Sequence, residues 1–225
     1  MTERKIKLLK LIIENYIKTA EPIGSKFLAN SGDLDVSAPT VRNEMRELES
    51  EGFLTHPHTS AGRIPTEEGY RFYVENILEP VEVGEFSEEL KSKEVLSLEG
   101  RDRIKKVAQM VADFSNSAVF VAFDSNSVYY TGISNLFSQP EFKDHLTAIN
   151  TSVMFDKCEE IVYNLLSQIE KNETSVLIGS ENPLGSSCGS VVSRFGEESL
   201  FILVGPIRMD YEKNMAILKF LISKL

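Results

Sequence analysis

Near the start of the chain, apolar residues recur at helical spacing. Residues 4–19 predict a long helix with one apolar side, and residues 25–30 predict a short second helix. Val41, Met45 and Leu48 then follow at i, i+4 and i+7, which predicts a third helix with one buried stripe. The apolar side of the first helix consists of Leu8, Leu9, Ile12, Ile13, Tyr16 and Ile17.

The predicted third helix carries polar groups on the side opposite its apolar stripe. Ser37 suits the N-cap position and Pro39 suits the first turn, so the helix is expected to begin there. The exposed side bears two guanidinium groups, an amide and hydroxyl groups, which can bind base edges and phosphates in a major groove. Its members are Pro39, Thr40, Arg42, Asn43, Arg46 and Ser50.

A Gly-rich hairpin is predicted after the third helix. Residues 53–56 and 63–65 can pair as two short strands around the turn HTSAG, whose small residues would let the backbone approach a sugar-phosphate chain. Thr66 is predicted to cap a further helix with an acidic first turn. The polar side chains of the hairpin are His56, His58, Thr59, Ser60 and Arg63.

Beyond residue 100 the pattern changes to short apolar runs between helices. Residues 101–115 predict a helix, and AVFVAF (118–123) and VYYTGI (128–133) predict a β-hairpin. Two helical stretches follow, then three apolar runs read as strands, and the chain closes on a helix from about Met209. This order predicts an α+β domain in which helices flank an antiparallel sheet of about five strands.

An acidic stretch separates these two patterns. Residues 79–100 contain seven Glu and two Lys and are interpreted as a connector with helical turns. The predicted domains are therefore residues 1–78, a connector at 79–100, and an α+β domain at 101–225.

Composition places the chain among ordinary globular proteins. It is 42% hydrophobic and 26% charged, and no apolar run approaches the roughly 20 residues that a membrane span needs. No signal peptide is predicted, so we expect a cytoplasmic protein that does not bind membranes. Cys158 and Cys188 have no Cys or His at metal-binding spacing, and buried free thiols are expected rather than a disulfide or a zinc site.

The charge of the chain weighs against nucleic-acid binding by bulk attraction. Residues 1–75 contain ten Lys or Arg and twelve Asp or Glu, a net charge of −2, and the remainder contains fourteen and twenty-two, a net charge of −8. Binding to DNA would then depend on local placement of cations. The candidates are Arg42 and Arg46 on the third helix, Arg63 on the hairpin, and Lys5, Lys7 and Lys10 on the first helix.

The order of the N-terminal elements nevertheless indicates a DNA-binding unit. An exposed helix face with two Arg residues is usually only a solvated face. Here, however, the order is helix, short helix, turn, polar helix and basic hairpin, which is the order of a winged helix-turn-helix. The predicted DNA-binding residues are Ser37, Thr40, Arg42, Asn43, Arg46, His58, Thr59, Ser60 and Arg63.

Catalytic and metal-binding motifs are missing from the sequence. Gly24, Ser25 and Lys26 lack the preceding glycine of a Walker phosphate loop. His56 and His58 would make an incomplete metal site, and no GxSxG motif occurs. We therefore expect neither an enzyme nor a protein with a cofactor.

Several blocks of the sequence resemble HrcA-type heat-inducible transcription repressors. The N-terminal blocks are YIKTAEPIGSKFLA, VSAPTVRNEMRELESEGFL and HPHTSAGRIPTEEGYRFYV, and the later ones are TGISNLFSQPEF, IGSEN and LVGPIRMDY. The resemblance covers most of the chain. It implies a repressor that binds an inverted-repeat operator in double-stranded DNA upstream of chaperone genes, a GAF-like second domain, and activity supported by the GroEL chaperonin.

The chain departs from the family in one respect, because the usual chain is longer and carries a dimerising domain inserted in the GAF-like part. Here AVFVAFD and VYYTGISNLF are joined only by the turn at 124–127. An inverted-repeat operator requires two recognition helices related by a two-fold axis, so a homodimer is still expected. The predicted interfaces are the strand at 128–133 and the first helix.

A second function stays open at this stage. A GAF-like domain can bind a metabolite, with the winged helix as an output module. The sequence offers little pocket chemistry for this, since its single charges near strand ends are typical of surface or capping groups. The charges in question are Asp124, Glu181, Arg194 and Arg208.

Overall fold

Two units divide the chain, residues Met1–Glu79 and Pro80–Leu225. The computed structural model describes residues 1–34, 36–58 and 61–224. No helix in this described part is both long enough and apolar enough to cross a membrane.

Helices and one short hairpin build the first unit. The hydroxyl of Thr2 accepts from the Lys5 amide at 3.4 Å and caps the first helix, which is followed by the C-cap residue Ala20 in the left-handed conformation. The described elements are α1 (Glu3–Thr19), α2 (Ser25–Asn30), α3 (Ala38–Ser50), β1 (Leu54–Thr55), β2 (Ile64–Pro65) and α4 (Glu67–Asn76).

The core of the first unit forms where the predicted apolar stripes meet. Val41, Met45 and Leu48 of α3 are all buried, as the spacing predicted. They lie with the buried residues of α1 and with Leu28 of α2 and Leu54 of β1. The orientation of α3 is therefore confirmed, and its other side faces solvent.

The hairpin is fixed to the rest of the unit at its base. Leu54 pairs with Pro65 and Thr55 with Ile64, so the strands are shorter than predicted. Arg63 also exchanges two backbone hydrogen bonds of 2.9 Å with Ile23. A Cβ at the neighbouring Gly62 would come within 2.5 Å of the Ile23 backbone, so this close approach requires glycine.

Thr66 joins the hairpin to α4, as predicted. Its hydroxyl accepts from the Gly69 amide at 3.0 Å and donates to the Gly52 carbonyl at 2.6 Å. Glu67 and Glu68 occupy the first turn of α4, where the helix dipole favours negative charge.

The second unit contains an antiparallel sheet of five strands with helices packed against it. The strand order is β4-β3-β7-β6-β5. The strands are β3 (Ala118–Asp124), β4 (Ser127–Thr131), β5 (Thr174–Ile178), β6 (Cys188–Arg194) and β7 (Leu200–Pro206). The helices are α5 (Gly84–Leu90), α6 (Lys93–Leu96), α7 (Gly100–Ser115), α8 (Ile133–Phe137), α9 (His145–Asp156), α10 (Cys158–Gln168) and α11 (Tyr211–Ile222). The predicted fold class, α+β with an antiparallel sheet of five strands, is confirmed.

Strands β3 and β7 lie inside the sheet and are buried on both faces. Phe120 pairs with Ile202 of β7 on one side and with Tyr130 of β4 on the other. This explains why both sequences are continuous apolar runs rather than alternating ones. Strands β4 and β5 form the edges of the sheet.

The acidic stretch at 79–100 packs into the second unit more closely than a connector would. Phe86 of α5 and Val95 of α6 are buried. The ring of Phe86 lies 5.4 Å from that of Phe114 and 6.4 Å from that of Phe220. The glutamates of the 79–100 stretch are exposed. A few buried apolar side chains therefore hold this mainly charged segment against the second unit.

Both cysteines are free, as predicted. Burial raises the pKa of the Cys188 thiol to about 12, although a hydrogen bond with Thr151 acts in the opposite direction. Cys158 is only half-buried.

Because Cys188 is buried and Cys158 is only half-buried, we expect a thiol reagent to label Cys158 first. In a Cys158→Ser variant, the remaining Cys188 should react with a thiol reagent at neutral pH only as fast as the protein unfolds, because the thiolate is the reactive form. The matched Cys188→Ser variant should label faster. Equal rates in the two folded variants, measured by mass spectrometry, would contradict this environment for Cys188.

Candidate nucleic-acid interface

The exposed side of α3 carries polar side chains that point to solvent. Arg42, Asn43 and Arg46 are exposed, and neither arginine makes an ion pair with another described residue. At the start of the helix, the hydroxyl groups of Ser37 and Thr40 lie 3.0 Å apart. Ser37 occupies the N-cap position, yet its side chain bonds to Thr40 rather than to the backbone of the helix.

Three carboxylates in or next to this helix, those of Glu44, Glu47 and Glu51, are paired with cations of α1. Arg4 donates from Nε to Glu44 at 2.6 Å, and Lys5 lies 2.7 Å from Glu47 and 2.9 Å from Glu51. The hydrogen bonds from Lys5 to these two carboxylates raise the pKa of Lys5. Lys5 thus neutralises two carboxylates beside the exposed face, and its expected contribution to DNA binding stays a prediction.

Arg63 lies in a different environment from the one that its hairpin position predicted. Its guanidinium is 2.8 Å from Glu49 of α3, and only 17% of its side chain is exposed. Nδ1 of His56 bonds to the other oxygen of the same carboxylate. Burial opposes ionisation of Glu49, but the His56 hydrogen bond and the Arg63 charge outweigh it and lower its pKa. Arg63 and His56 thus fasten the hairpin to α3.

The tip of the hairpin is described only in part. His58 is exposed, and its carbonyl accepts from the Ala61 amide at 2.9 Å. The predicted contact residues Thr59 and Ser60 lie outside the described residues.

A cleft of about 450 Å³ opens between the start of α2, the exposed side of α3 and the hairpin. Basic side chains reach it from three directions, and no carboxylate among the described residues lines it. Ser25 is only 9% exposed, and its hydroxyl has no hydrogen-bond partner among the described residues. The lining residues are Ile23, Gly24, Ser25, Lys26, Arg42, Met45, Arg46, Ala61, Gly62 and Arg63.

The chemistry of this cleft suits a phosphate group. Ammonium and guanidinium groups bind phosphate oxygens, and a hydroxyl can donate a further hydrogen bond. Sequence reasoning missed Ser25 and Lys26, because the short helix that they begin was assigned no contact role. As a sequence motif, the triplet Gly24-Ser25-Lys26 resembled only a Walker loop. Its position next to α3 depends on how the chain folds, so the sequence did not show it.

The described residues contain no cluster of three or more His, Cys, Asp or Glu side chains that could hold a metal ion.

Comparison with known proteins places the chain beside one family of regulators. A family model described as "HrcA protein C terminal domain" matches residues 67–215. The chain is 31% identical over 220 residues to "Heat-inducible transcription repressor HrcA" of Acetivibrio thermocellus, covering 97% of this chain and 58% of that one. It is 27% identical over 331 aligned positions to the protein of the same name from Clostridioides difficile, covering 98% and 97%. The chain thus spans less than two thirds of the length of the first of these relatives.

One solved structure shares the fold of the whole chain. It is described as "Crystal structure of a hypothetical protein at 2.2 A resolution", and it superposes with a TM-score of 0.75 at 16% sequence identity. The alignment covers 100% of this chain and 97% of the other. At this identity the likeness concerns the fold alone.

Proposed function

Because the chain belongs to the HrcA family of heat-inducible transcription repressors, we propose that it represses heat-shock (chaperone) genes by binding an inverted-repeat operator as a dimer. The observation that carries this proposal is the exposed side of α3. Arg42, Asn43 and Arg46 point to solvent there, while the acids of the same helix are paired with Arg4, Lys5 and Arg63. The exposed side of α3 is therefore locally basic and can attract DNA, although the chain as a whole carries a net negative charge.

The first unit is, in this proposal, a winged helix-turn-helix. Helices α2 and α3 form the helix-turn-helix, α3 is the recognition helix, and the β1–β2 hairpin is the wing. Residues 1–78 would form the DNA-binding domain, followed by the 79–100 segment and the domain at 101–225. The close pairing of Arg63 with Ile23 supports a wing that is held in a fixed position beside α3.

The side chains of α3 divide into two roles. Arg42 and Arg46 suit guanine and Asn43 suits adenine, because each pair can form two hydrogen bonds in the major groove. Ser37 and Thr40 suit phosphate oxygens near the start of the helix. His58, Thr59 and Ser60 are proposed contacts of the wing tip.

Phosphate binding is assigned chiefly to the cleft beside α2. Ser25 and Lys26 supply the phosphate-binding groups, whereas Arg42 and Arg46 border the cleft and keep their proposed role at the bases. Arg63 contributes charge to this cleft, but its ion pair with Glu49 gives it a second task in holding the wing. A backbone phosphate seated here would fix the register of α3 without reading sequence.

Lys26→Ala should weaken binding to operator and to random DNA by the same factor. The plot of log affinity against log salt concentration should become shallower by about one ion, since one phosphate contact is lost. Lys18→Ala, an exposed cation outside the cleft, is the matched control. Fluorescence anisotropy at several salt concentrations measures both effects. An unchanged slope for Lys26→Ala would remove Lys26 from the interface.

The second domain is proposed to be GAF-like and to mediate dimerisation and contact with the GroEL chaperonin, as the family resemblance implies. Action on chromosomal DNA places the protein in the cytoplasm in this proposal.

A binding assay tests the function directly. Labelled DNA from the promoter of a chaperonin gene of the same genome should be bound at physiological salt far more tightly than a scrambled fragment of equal length. Specific regulators typically prefer their site by a factor of about 10³ or more. Equal affinity for both fragments would overturn the assignment of a sequence-specific repressor.

A further inference from the structure

Glu49 continues the row that Arg42 and Arg46 form along α3. The three residues recur at i, i+4 and i+7, so at about 100° per residue their side chains leave the helix within about 60° of one another. DNA repels an unpaired carboxylate, because its backbone carries one negative charge per phosphate. A glutamate in line with two arginines that are proposed to bind bases therefore needs a physical reason.

The carboxylate of Glu49 is directed to the base of the hairpin, where two side chains bind it. Arg63, just before β2, lies 2.8 Å from one oxygen, and Nδ1 of His56, just after β1, bonds to the other. Burial raises the pKa of Glu49, but the His56 hydrogen bond and the Arg63 charge outweigh it, so the carboxylate is ionised at neutral pH. One charged group of α3 thus holds both sides of the wing.

The wing has another anchor on the chain before α2. Arg63 exchanges two backbone hydrogen bonds of 2.9 Å with Ile23, and Gly62 permits this close approach. That anchor holds the hairpin backbone, whereas Glu49 adds a side-chain link to α3 itself. A wing whose orientation is fixed before binding loses less conformational entropy when it meets DNA, provided that the DNA fits this orientation.

Glu49 also offsets the charge that Arg63 brings to the cleft. Each cation that contacts a phosphate strengthens binding to every DNA sequence alike, and it steepens the fall of affinity with salt by about one ion. The ratio of operator affinity to non-specific affinity decides whether a regulator finds its site. With Arg63 paired to Glu49, non-specific attraction is weaker than the number of cations around the cleft suggests.

We propose that Glu49 is a specificity-determining residue that acts through Arg63 and the wing rather than by touching DNA. It neutralises a cation that would strengthen binding to all sequences, and it fixes the wing beside α3 in one orientation. The inference rests on the proposed function, in which α3 and the wing bind an operator. The charge of Arg63 becomes available to phosphate only when Glu49 is removed.

Glu49→Gln should separate the two kinds of binding. At about 0.1 M salt, affinity for scrambled DNA should rise by about threefold to tenfold, and its salt dependence should steepen by about one ion, because Arg63 is freed. Affinity for the chaperonin-gene promoter fragment should not rise, since the wing is less well fixed, so the ratio of the two affinities should fall by at least about threefold. Fluorescence anisotropy of the full chain at several salt concentrations measures both.

Glu47→Gln is the matched control, because it removes the same charge from the same helix. Lys5, the partner of Glu47, keeps its ion pair of 2.9 Å with Glu51, so no cation is freed for DNA. The salt dependence and the ratio of affinities should stay at their wild-type values. Circular dichroism melts check that both variants fold.

Arg63→Gln distinguishes the charge of Arg63 from its position. Alone, it should change the salt dependence by less than about half an ion, because Glu49 already offsets this charge, whereas in the Glu49→Gln background it should remove the whole added ion. Loss of a full ion in the single variant would show that Arg63 contacts phosphate despite Glu49, and that result would overturn the proposal.

Hydrogen exchange of the free protein tests the fixing of the wing without DNA. The Arg63 amide, which donates to the Ile23 carbonyl, should exchange at least about threefold faster in Glu49→Gln than in Glu47→Gln, because the hairpin opens more often. Equal exchange, or a Glu49→Gln variant that changes both affinities by the same factor, would overturn the proposal. A wild-type protein that binds both fragments equally would contradict the proposed function instead, while the exchange rates and the salt dependence on scrambled DNA would still decide the role of Glu49.

Discussion

Met45→Ala should lower the free energy of unfolding by about 2 to 5 kcal/mol. Met45 lies on the buried side of α3 and lines the inner wall of the cleft beside α2. Truncating it removes apolar contacts with the core and leaves a cavity that the packed helices can close only in part. Urea denaturation followed by circular dichroism measures the loss.

The control for this prediction lies on the same helix. Asn43→Ala changes a side chain on the exposed side and should cost less than about 1 kcal/mol. Helix propensity even favours alanine there. If Asn43→Ala proved the more damaging of the two, α3 would have to be rotated about its axis.

Replacing Arg42, Asn43 or Arg46 with Ala should weaken operator binding by about 1 to 3 kcal/mol, or roughly fivefold to 150-fold. Each side chain is proposed to form paired hydrogen bonds with one base, so its loss should also relax specificity at that base pair. Affinities for the operator and for single-base variants of it measure both effects. The free energy of unfolding should change by less than about 1 kcal/mol, because these groups are exposed.

Two outcomes distinguish base recognition from simple charge attraction. If Arg46→Ala weakens operator and random DNA equally, Arg46 binds phosphate and not a base. If all three variants bind the operator with wild-type affinity, α3 is not the recognition helix. Lys26→Ala provides the comparison for a purely electrostatic loss.

Local patterns were enough to predict the elements of the first unit. The stripe of Val41, Met45 and Leu48 predicted both the existence and the rotation of α3, because helical periodicity depends only on neighbouring residues. The Thr66 cap was predictable for the same reason. The sheet of the second unit was predictable because β3 and β7 are continuous apolar runs of strand length.

Contacts between distant residues could not be read in the same way. The pairing of Arg63 with Glu49 depends on how the hairpin folds back on α3, and the sequence pattern predicted Arg63 only as a DNA-binding cation of the hairpin. Lys26 joins Arg42 and Arg46 only because α2 packs beside α3. In the 79–100 stretch, the charge of the glutamates concealed the buried Phe86 and Val95.

Helix α9 illustrates a further limit of pattern reading. Its apolar and polar residues are mixed on all sides, so periodicity gave no direction to its buried face. Only the fold shows that Thr151 points inward while Leu146 points outward.

A DNase I footprint of the purified chain on the promoters of the chaperonin genes of its own genome tests whether α3 recognises an operator there. We expect one protected inverted repeat, with half-sites about one helical turn of DNA apart or a multiple of it, and loss of that protection in the Arg42→Ala/Arg46→Ala variant. Uniform protection along the fragment, no protection at all, or an unchanged footprint for that variant would contradict it.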